Sequence, residues 1–298
     1  DQYRIGGLTF QGAIFSNITH DHLDYHKTFE NYLYTKKIFF DHLPSSSFAL
    51  TNKDDKNGLV LLQNTKASKY TYSLKSVSDF KGKIIESDLT GLLLEIDNIQ
   101  AWYGLAGDFN AYNLLAVYGT AFLLGIEKDD IILALTKIRG AKGRFEIVRS
   151  TDGVIGLIDY AHTPDAIKNV LETINKARTK NETLTTIIGC GGDRDKAKRP
   201  IMGDIASTLS DKVIFTSDNP RTENPETIIS EMKAGVKAQH TKKILKITNR
   251  EEAINVAVSQ AKKGDIILLA GKGHETVSYT HLRAHETKAN LVCRLLLE

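Results

Sequence analysis

From about residue 154, short aliphatic and β-branched runs alternate with amphipathic helical segments, and this alternation most constrains the fold. The expected strands cover five runs, 154–158, 184–188, 213–216, 244–247 and 266–270. Strands that alternate with helices in this way are typical of a parallel sheet covered by helices. The second half of the chain is therefore predicted to be a mostly parallel α/β domain.

Two helices of this half have recognisable start signals. Thr163 and Asn224 are capping residues, and each is followed directly by a proline that suits the first helical turn. After the first of these caps, apolar residues recur on one helical face at Ile167, Val170, Leu171 and Ile174. This spacing predicts an amphipathic helix.

The first half of the chain is less regular. It predicts strands over 13–15 and 48–51, a hairpin within 83–96, and helices over 28–43, 110–124 and 128–138. Helical periodicity stops near 143–146, where we expect a domain boundary. The 298 residues agree with two domains of about 150 residues each.

Charge and cysteine content exclude several classes of protein. Lys and Arg number 39 against 36 Asp and Glu, so the chain has no basic surface typical of a nucleic-acid or membrane-surface binder. Two cysteines cannot form a disulfide framework, and no apolar run approaches the ~20 residues that span a bilayer. We expect a cytoplasmic protein with no nucleic-acid partner and no membrane insertion.

Polar clusters follow four of the five predicted strands. They are DYAHTPD at 159–165, GCGGDRDK at 189–196, SDNPR at 217–221 and AGKGHE at 270–275. Open α/β sheets bind ligands beyond the carboxyl ends of their strands, so these clusters predict a single binding edge. Arg194 and Arg221 suit bidentate contacts to carboxylates. GCGGDR does not meet the spacing of G-x-G-x-x-G, so a nicotinamide cofactor is poorly supported.

A second cluster of polar residues lies in the first half. His20, Asp21, His22, Asp24 and His26 fall within seven residues after a predicted strand. Imidazole-rich clusters can ligate a transition metal such as zinc, and they can also form a solvated polar loop. The residues alone leave both interpretations open. Lys36 and Lys37 on the following helix would ordinarily be solvated.

Taken together, the motifs resemble those of the Mur ligases. They are SNITHDHLDYH, GDFNAYN, KGRFE, DYAHTPD, GCGGDRDKAKRP, SDNPRTENP and AGKGHE, and the resemblance runs from residue 1 to about 276. Such enzymes have a UDP-sugar domain, a central P-loop ATPase domain and a carboxy-terminal Rossmann-like domain. The resemblance implies an incomplete P-loop-NTPase-like central domain over 1–144 and a Rossmann-like, mostly parallel sheet domain over 145–277.

The resemblance also implies roles for individual residues. Gln2 and Arg4 match positions that contact the UDP-muramoyl substrate. His22 and Lys36 match the catalytic metal site: the histidine binds magnesium, and the lysine is carbamylated, which gives it a carboxylate-like oxygen ligand. The ATP contacts match Asn110, Asn113, Arg144 and Asp159. The pocket for the incoming amino acid matches Arg194, Asp218, Asn219, Arg221, Gly271 and Glu275.

The implied activity is ATP-dependent amide-bond formation in peptidoglycan precursor synthesis, with ATP and Mg2+ as cofactors and a monomer as the expected state. Members with DNPR add meso-diaminopimelate to UDP-MurNAc-L-Ala-D-Glu, and Arg221 could pair with the distal carboxylate that L-lysine lacks. Glu275 could hold the distal ammonium. The D-glutamyl carboxylate would be phosphorylated by ATP, and the amine of diaminopimelate would attack the acyl phosphate.

Two features depart from the family pattern. The Walker A sequence G-x-x-x-x-G-K-[ST] is absent from this sequence, so the chain by itself is expected to be inactive. Residues 278–298 lose the family pattern, and we interpret them as a non-native tail.

Three alternatives stay open. An L-lysine-adding or other Mur ligase, or a folylpolyglutamate synthetase, would share the ATP-related motifs, although SDNPR with GKGHE argues against both. A noncatalytic Rossmann-type ligand-binding fragment belongs to a different class. A metal-dependent hydrolase built on HDHLDYH is the third.

Overall fold

The computed structural model describes residues 5–19 and 23–272, apart from the side chain of Asp24. The chain divides into two compact units, of which the first ends at Arg139 and the second begins at Gly140. The expected tail at 278–298 and four predicted site residues, Gln2, Arg4, His22 and Glu275, lie outside the described residues. Among the helices that are described, none is both long and apolar enough to cross a membrane.

The first unit is built on a sheet whose strands lie in sequence order. Its strands are β1 (Gly12–Phe15), β2 (Phe48–Asn52), β3 (Ser68–Ser73), β4 (Phe80–Ser87), β5 (Leu92–Ile96) and β6 (Ile99–Tyr103). Neighbouring strands are parallel from β1 to β4 and antiparallel from β4 to β6. The helices are α1 (Leu23–His26), α2 (Phe29–Asp41), α3 (Gly58–Leu61), α4 (Asp108–Leu123) and α5 (Lys128–Lys137).

Two apolar clusters hold this unit together. In one of them, Leu50 and Leu94 of the sheet pack with Leu115 of α4 and Leu135 of α5. The other joins β1 and β2 to α2 and α3, with Phe15 and Phe40 among its buried members. The sheet therefore has apolar contacts with helices on both faces.

The second unit contains a sheet in the order β11-β10-β9-β12-β8-β7. Its strands are β7 (Glu146–Arg149), β8 (Ile155–Asp159), β9 (Leu184–Ile188), β10 (Lys212–Phe215), β11 (Ile244–Lys246) and β12 (Ile266–Ala270). The helices are α6 (Pro164–Ala177), α7 (Lys198–Leu209), α8 (Pro225–Ala234) and α9 (Arg250–Gln260), with a 3-10 helix over Ala238–Lys243. All neighbouring strands are parallel except β7 and β8, which are antiparallel.

The predicted parallel α/β architecture of the second half is confirmed. The five predicted strands are β8 to β12, with ends that differ from the prediction by at most one residue. All five residues of β12 are buried, as expected for a strand covered on both faces. The Thr163 side chain accepts a hydrogen bond from the backbone N–H of Ala166, and the Asn224 side chain accepts one from that of Glu226. Both predicted helix caps are therefore confirmed.

The structure also contains strands that the sequence does not predict. β3 has the sequence SKYTYS, which contains no aliphatic residue, and it pairs with β2 and β4. β6 pairs with β5 in an antiparallel arrangement and so extends the predicted hairpin by one strand. β7 begins at Glu146, where the sequence suggests a domain boundary, and pairs with β8 as the edge strand of the second sheet. In each case the structure identifies the strand by its pairing with a neighbouring strand.

Candidate functional site

Four polar loops meet at the carboxyl edge of the second sheet because their strands are neighbours in the order β10-β9-β12-β8. Gly271 lies where these loops converge, with a left-handed φ of +92°. A Cβ built on Gly271 would lie 3.5 Å from the Gly189 carbonyl oxygen, 3.9 Å from Asp218 Oδ2 and 4.0 Å from the Ala161 carbonyl oxygen. The backbone conformation therefore favours glycine at this position, and the three distances show how closely the loops approach it.

The loops after β9 and β10 hold two of the predicted arginines. Arg194 follows β9 and is exposed, and Arg221, also exposed, follows β10. Arg221 Nη1 donates to the Gly192 carbonyl oxygen at 2.6 Å, and the Gly192 N–H donates to the Asn219 carbonyl oxygen at 2.8 Å. The two loops are thus joined by a main-chain bond and by a bond from the Arg221 guanidinium, both at Gly192, which is two residues from Arg194 in sequence.

Asp218 has a basic partner that the sequence does not single out. Lys272 Nζ lies 3.5 Å from Asp218 Oδ1, and only 16% and 13% of these side chains are exposed. Lys272 stands directly after Gly271 and belongs to AGKGHE, a motif that the sequence places at this edge without a role for its lysine. The pair places a mostly buried positive and negative charge beside the glycine at the centre of the edge.

Arg199 of α7 is the largest fully buried side chain in the described structure, with 0% exposure. Its guanidinium donates bidentately to Glu223, with Nη1 to Oε2 at 2.9 Å and Nη2 to Oε1 at 2.8 Å. It also donates to Glu231 Oε2 at 2.6 Å and to the Gly191 carbonyl oxygen at 3.2 Å. Arg199 therefore connects the loops after β9 and β10 to α8.

The only free cysteine in the described structure, Cys190, does not have the environment of a nucleophile. Burial raises the pKa of its thiol to about 12, with Asp218 adding to the effect and Lys198 and Arg199 opposing it. A thiol with such a pKa stays protonated near neutral pH, whereas the thiolate is the nucleophile. Cys190 instead packs against Met202, with 3.7 Å between their sulfur atoms.

Asp159 at the end of β8 already has two hydrogen-bond donors. Its Oδ1 accepts from the Ala161 N–H at 2.7 Å and its Oδ2 accepts from the Phe145 N–H at 2.8 Å. Burial raises the pKa of Asp159, while these two N–H groups and nearby Arg144 oppose the rise. Arg144 stacks on Tyr160, with its guanidinium carbon 4.5 Å from the ring centre. Asp159 thus connects the segment that contains Arg144 and Phe145 to the end of β8.

The other two residues predicted to contact ATP, Asn110 and Asn113, lie on α4 in the first unit. Asn110 Nδ2 donates to the Ala106 carbonyl oxygen at 2.7 Å, and Asn113 Nδ2 donates to Asn110 Oδ1 at 3.1 Å. The two amides are thus adjacent on one helical face. Arg144 and Asp159 belong to the second unit, so the predicted ATP contacts are divided between the two units.

Lys36 and Lys37 of α2 have contrasting surroundings. Lys36 is half-buried, with Nζ 5.0 Å from the centre of the Tyr32 ring, and burial lowers its pKa. Lys37 is buried and pairs with Asp41, with Nζ–O distances of 2.6 and 2.8 Å. Neither lysine is fully solvated, contrary to what the helix position alone suggests.

The imidazole-rich cluster is described only in part. His20, Asp21 and His22 lie outside the described residues, and His26 stacks on Tyr32 with 4.8 Å between ring centres. Among the residues that are described, no three His, Cys, Asp or Glu side chains form a group that could hold a metal ion.

Comparisons with known proteins assign both units to one family. Residues 1–121 match the model of the Mur ligase middle domain, and residues 143–273 match that of the Mur ligase glutamate ligase domain. A protein from Cytophaga hutchinsonii named UDP-N-acetylmuramoyl-L-alanyl-D-glutamate–2,6-diaminopimelate ligase is 57% identical over 275 residues. That alignment covers 92% of this chain and 56% of the relative. A protein of the same name from Bacteroides thetaiotaomicron is 55% identical, with 92% and 57% covered.

Solved structures agree with this assignment. A 2,6-diaminopimelate ligase of the same name is 34% identical with a TM-score of 0.59, and the match covers 98% of this chain and 61% of that one. A MurF ligase from Thermotoga maritima in complex with ADP is 19% identical with a TM-score of 0.69, covering 89% and 59%. The second similarity shows the fold alone. The chain therefore spans little more than half the length of the curated relatives it matches.

Proposed function

The chain belongs to the Mur ligase family, and on that premise we propose that it takes part in the ATP-dependent joining of meso-diaminopimelate to UDP-MurNAc-L-Ala-D-Glu in peptidoglycan precursor synthesis. Relatives that are 54–57% identical have the name of this ligase. The observation that supports the amino-acid substrate most directly is the joined pair of loops that present Arg194 and Arg221 at one sheet edge. The cytoplasmic location and the monomeric state stay predictions.

The amino acid would bind across this edge. Arg221 uses one N–H in its bond to Gly192, and a guanidinium has five N–H donors, so a bidentate contact to a carboxylate is compatible with that bond. Arg194 on the adjacent loop would bind the second carboxylate. Asp218 and Asn219 would contribute polar contacts, and Gly271 would leave room for the substrate. Glu275, which is outside the described residues, would hold the distal ammonium.

Each unit contains residues that we propose as nucleotide contacts. Asn110 and Asn113 present adjacent amides suited to the adenine, and Arg144 presents a guanidinium that would neutralise phosphate charge. Asp159 would accept hydrogen bonds from ribose hydroxyls through the lone pairs that its two bonds to backbone N–H groups do not use. Gln2 and Arg4 would contact the UDP-muramoyl substrate.

Lys36 fits the proposed role in magnesium binding. Its half-buried position lowers its pKa, which favours the neutral amine that can attack carbon dioxide. In that step a C–N bond forms as one C=O π bond of carbon dioxide breaks, and the nitrogen loses a proton to solvent, giving a carbamate with oxygen ligands suited to magnesium. His22 would be a further ligand. When bound, magnesium would offset the negative charge of the phosphoryl group in transfer.

Isothermal titration of this chain with meso-diaminopimelate and L-lysine tests the proposal. We expect meso-diaminopimelate to bind at least about tenfold more tightly, because a site with two arginines loses a charged pair when L-lysine occupies it. Arg221→Ala should remove the preference, whereas Arg149→Ala, an exposed arginine on β7, should keep it. Binding of neither amino acid would contradict the proposal, and a preference for L-lysine would favour the L-lysine-adding ligases.

A further inference from the structure

The residues next to the two arginines are bonded to each other across the loops. Asp193 directly precedes Arg194, and Thr222 directly follows Arg221. Thr222 donates to Asp193 twice, with its Oγ1 to Oδ1 at 2.7 Å and its backbone N–H to Oδ2 at 3.1 Å. These bonds lower the pKa of Asp193, so its carboxylate form is favoured.

Glu223, in the loop after β10, in turn binds the backbone of the loop after β9. Its Oε1 accepts from the backbone N–H of Asp193 at 2.7 Å, and its Oε2 lies 3.0 Å from Lys196 Nζ. Hydrogen bonds lower the pKa of Glu223 well below its usual range, with the largest effect from Arg199 and smaller effects from the Asp193 N–H and Lys196. Each loop thus supplies a carboxylate that binds a backbone N–H of the other loop.

The backbone at this junction is constrained. Asp193 has φ of +52° and Arg221 has φ of +49°, both in the left-handed region that residues with a Cβ seldom adopt. Such conformations persist where surrounding bonds determine them, and here Thr222 and Glu223 supply those bonds. The direction in which each arginine leaves its loop therefore depends on the bonds between the loops.

From these contacts we infer that Asp193, Thr222 and Glu223 are positioning residues for Arg194 and Arg221. By fixing the separation of the two guanidinium groups, they set the length of the dicarboxylic amino acid that the edge accepts. They do so without contacting the amino acid. The inference rests on the proposed function, since it takes both arginines to be carboxylate ligands.

Substitution of Thr222 tests the inference through selectivity. Thr222→Val removes the hydroxyl but keeps the backbone N–H bond, and Thr222→Ser restores the hydroxyl. The measurement is the ratio of the dissociation constants of L-lysine and meso-diaminopimelate, obtained by isothermal titration, with a urea melt of each variant. We expect Thr222→Val to reduce the ratio by about tenfold, and Thr222→Ser to restore it.

The chain offers a matched control in Thr179. Its Oγ1 donates to Glu182 Oε1 at 2.9 Å in an exposed turn between α6 and β9, at the other end of that strand. Thr179→Val should leave the ratio unchanged. An unchanged ratio in Thr222→Val, or an equal loss of affinity for both amino acids, would overturn the inference while wild-type binding upholds the proposed function. If the wild-type chain binds no diaminopimelate, the proposed function fails and this inference with it.

Discussion

Tyr112 Oη donates a hydrogen bond to Asp54 Oδ2 at 3.0 Å. Asp54 follows β2, whereas Tyr112 lies on α4 between Asn110 and Asn113, the residues proposed to contact the adenine. Asp54 also accepts from the hydroxyls of Ser73 and Ser76 and from the Leu74 N–H. One carboxylate therefore connects α4 to two loops of the first sheet.

Removing the Tyr112 hydroxyl should weaken the first unit. Tyr112→Phe leaves a part-buried carboxylate oxygen with fewer donors, and we expect a loss of about 1 kcal/mol in the free energy of unfolding. Tyr34→Phe is a suitable control because 63% of Tyr34 is exposed. Urea melts of both variants provide the measurement, and equal effects of the two substitutions would contradict a structural role for the Asp54–Tyr112 bond.

The same carboxylate predicts a pH dependence. Burial alone would raise the pKa of Asp54, but bonds from Ser73, Leu74, Ser76 and Tyr112 lower it to about 2. A carboxyl group whose pKa is lower in the folded than in the unfolded state stabilises the fold above about pH 4, and this stabilisation is lost as the pH falls towards 2. The expected contribution at neutral pH is about 1–2 kcal/mol.

The test compares wild type with Asp54→Asn in urea melts from about pH 6 to pH 2. The difference in stability between the two proteins should be largest near neutral pH and should shrink on acidification, because protonation removes the charge from wild type only. A difference that stays constant over this range would show that the bonds to Asp54 do not favour its ionised form.

The buried network around Arg199 predicts a large loss of stability. Arg199→Met leaves Glu223 and Glu231 close together without their shared cation, and breaking such a buried pair costs about 3–5 kcal/mol. Lys168→Met is the control, since Lys168 pairs with Glu172 on the exposed surface of α6 and such pairs contribute less than about 1 kcal/mol. Similar urea midpoints for the two variants would be incompatible with this network as a source of stability.

The sequence predicts the second unit better than the first because its strands are continuous apolar runs with capped helices between them. β12 is an uninterrupted IILLA segment, and α6 begins at Pro164 after a threonine cap. β3, by contrast, has only tyrosines as hydrophobic residues, and its place between β2 and β4 depends on pairing. Local patterns identify continuous apolar strands and capped helices. Strands that are recognised by pairing with their neighbours require the three-dimensional structure.

The same distinction applies to the candidate site. The sequence predicts Arg194, Asp218 and Arg221 at one edge because each follows a strand of the parallel sheet. Arg199 and Lys272 cannot be assigned in this way, since each acts through a partner that is distant in sequence, Glu223 and Asp218 respectively. In the sequence alone they have the appearance of ordinary charged residues.

A glycine pair tests how closely the two loops must approach. A Cβ on Gly192 would overlap the backbone carbonyl of Pro220, whereas the nearest atom to a Cβ on Gly191 is Arg221 Nη1, the end of a flexible side chain, at 2.9 Å. Gly192→Ala should therefore cost about 1–3 kcal/mol and abolish binding of meso-diaminopimelate. Gly191→Ala should cost less in a urea melt, and a larger cost than that of Gly192→Ala would contradict the observed loop contact.

The neighbouring lysines of α2 are expected to differ in carbamylation. Lys36 is half-buried with a lowered pKa, so more of its amine is neutral near pH 8 than in an ordinary lysine of pKa ~10.4, whereas the Nζ of Lys37 is engaged in an ion pair with Asp41. With carbon-13-labelled bicarbonate, we expect a carbamate resonance in the NMR spectrum of the chain. The resonance should disappear in Lys36→Arg and persist in Lys37→Arg. The opposite pattern would assign the carbamate to Lys37, and no resonance in wild type would leave Lys36 unmodified and remove its proposed role as a source of oxygen ligands for magnesium.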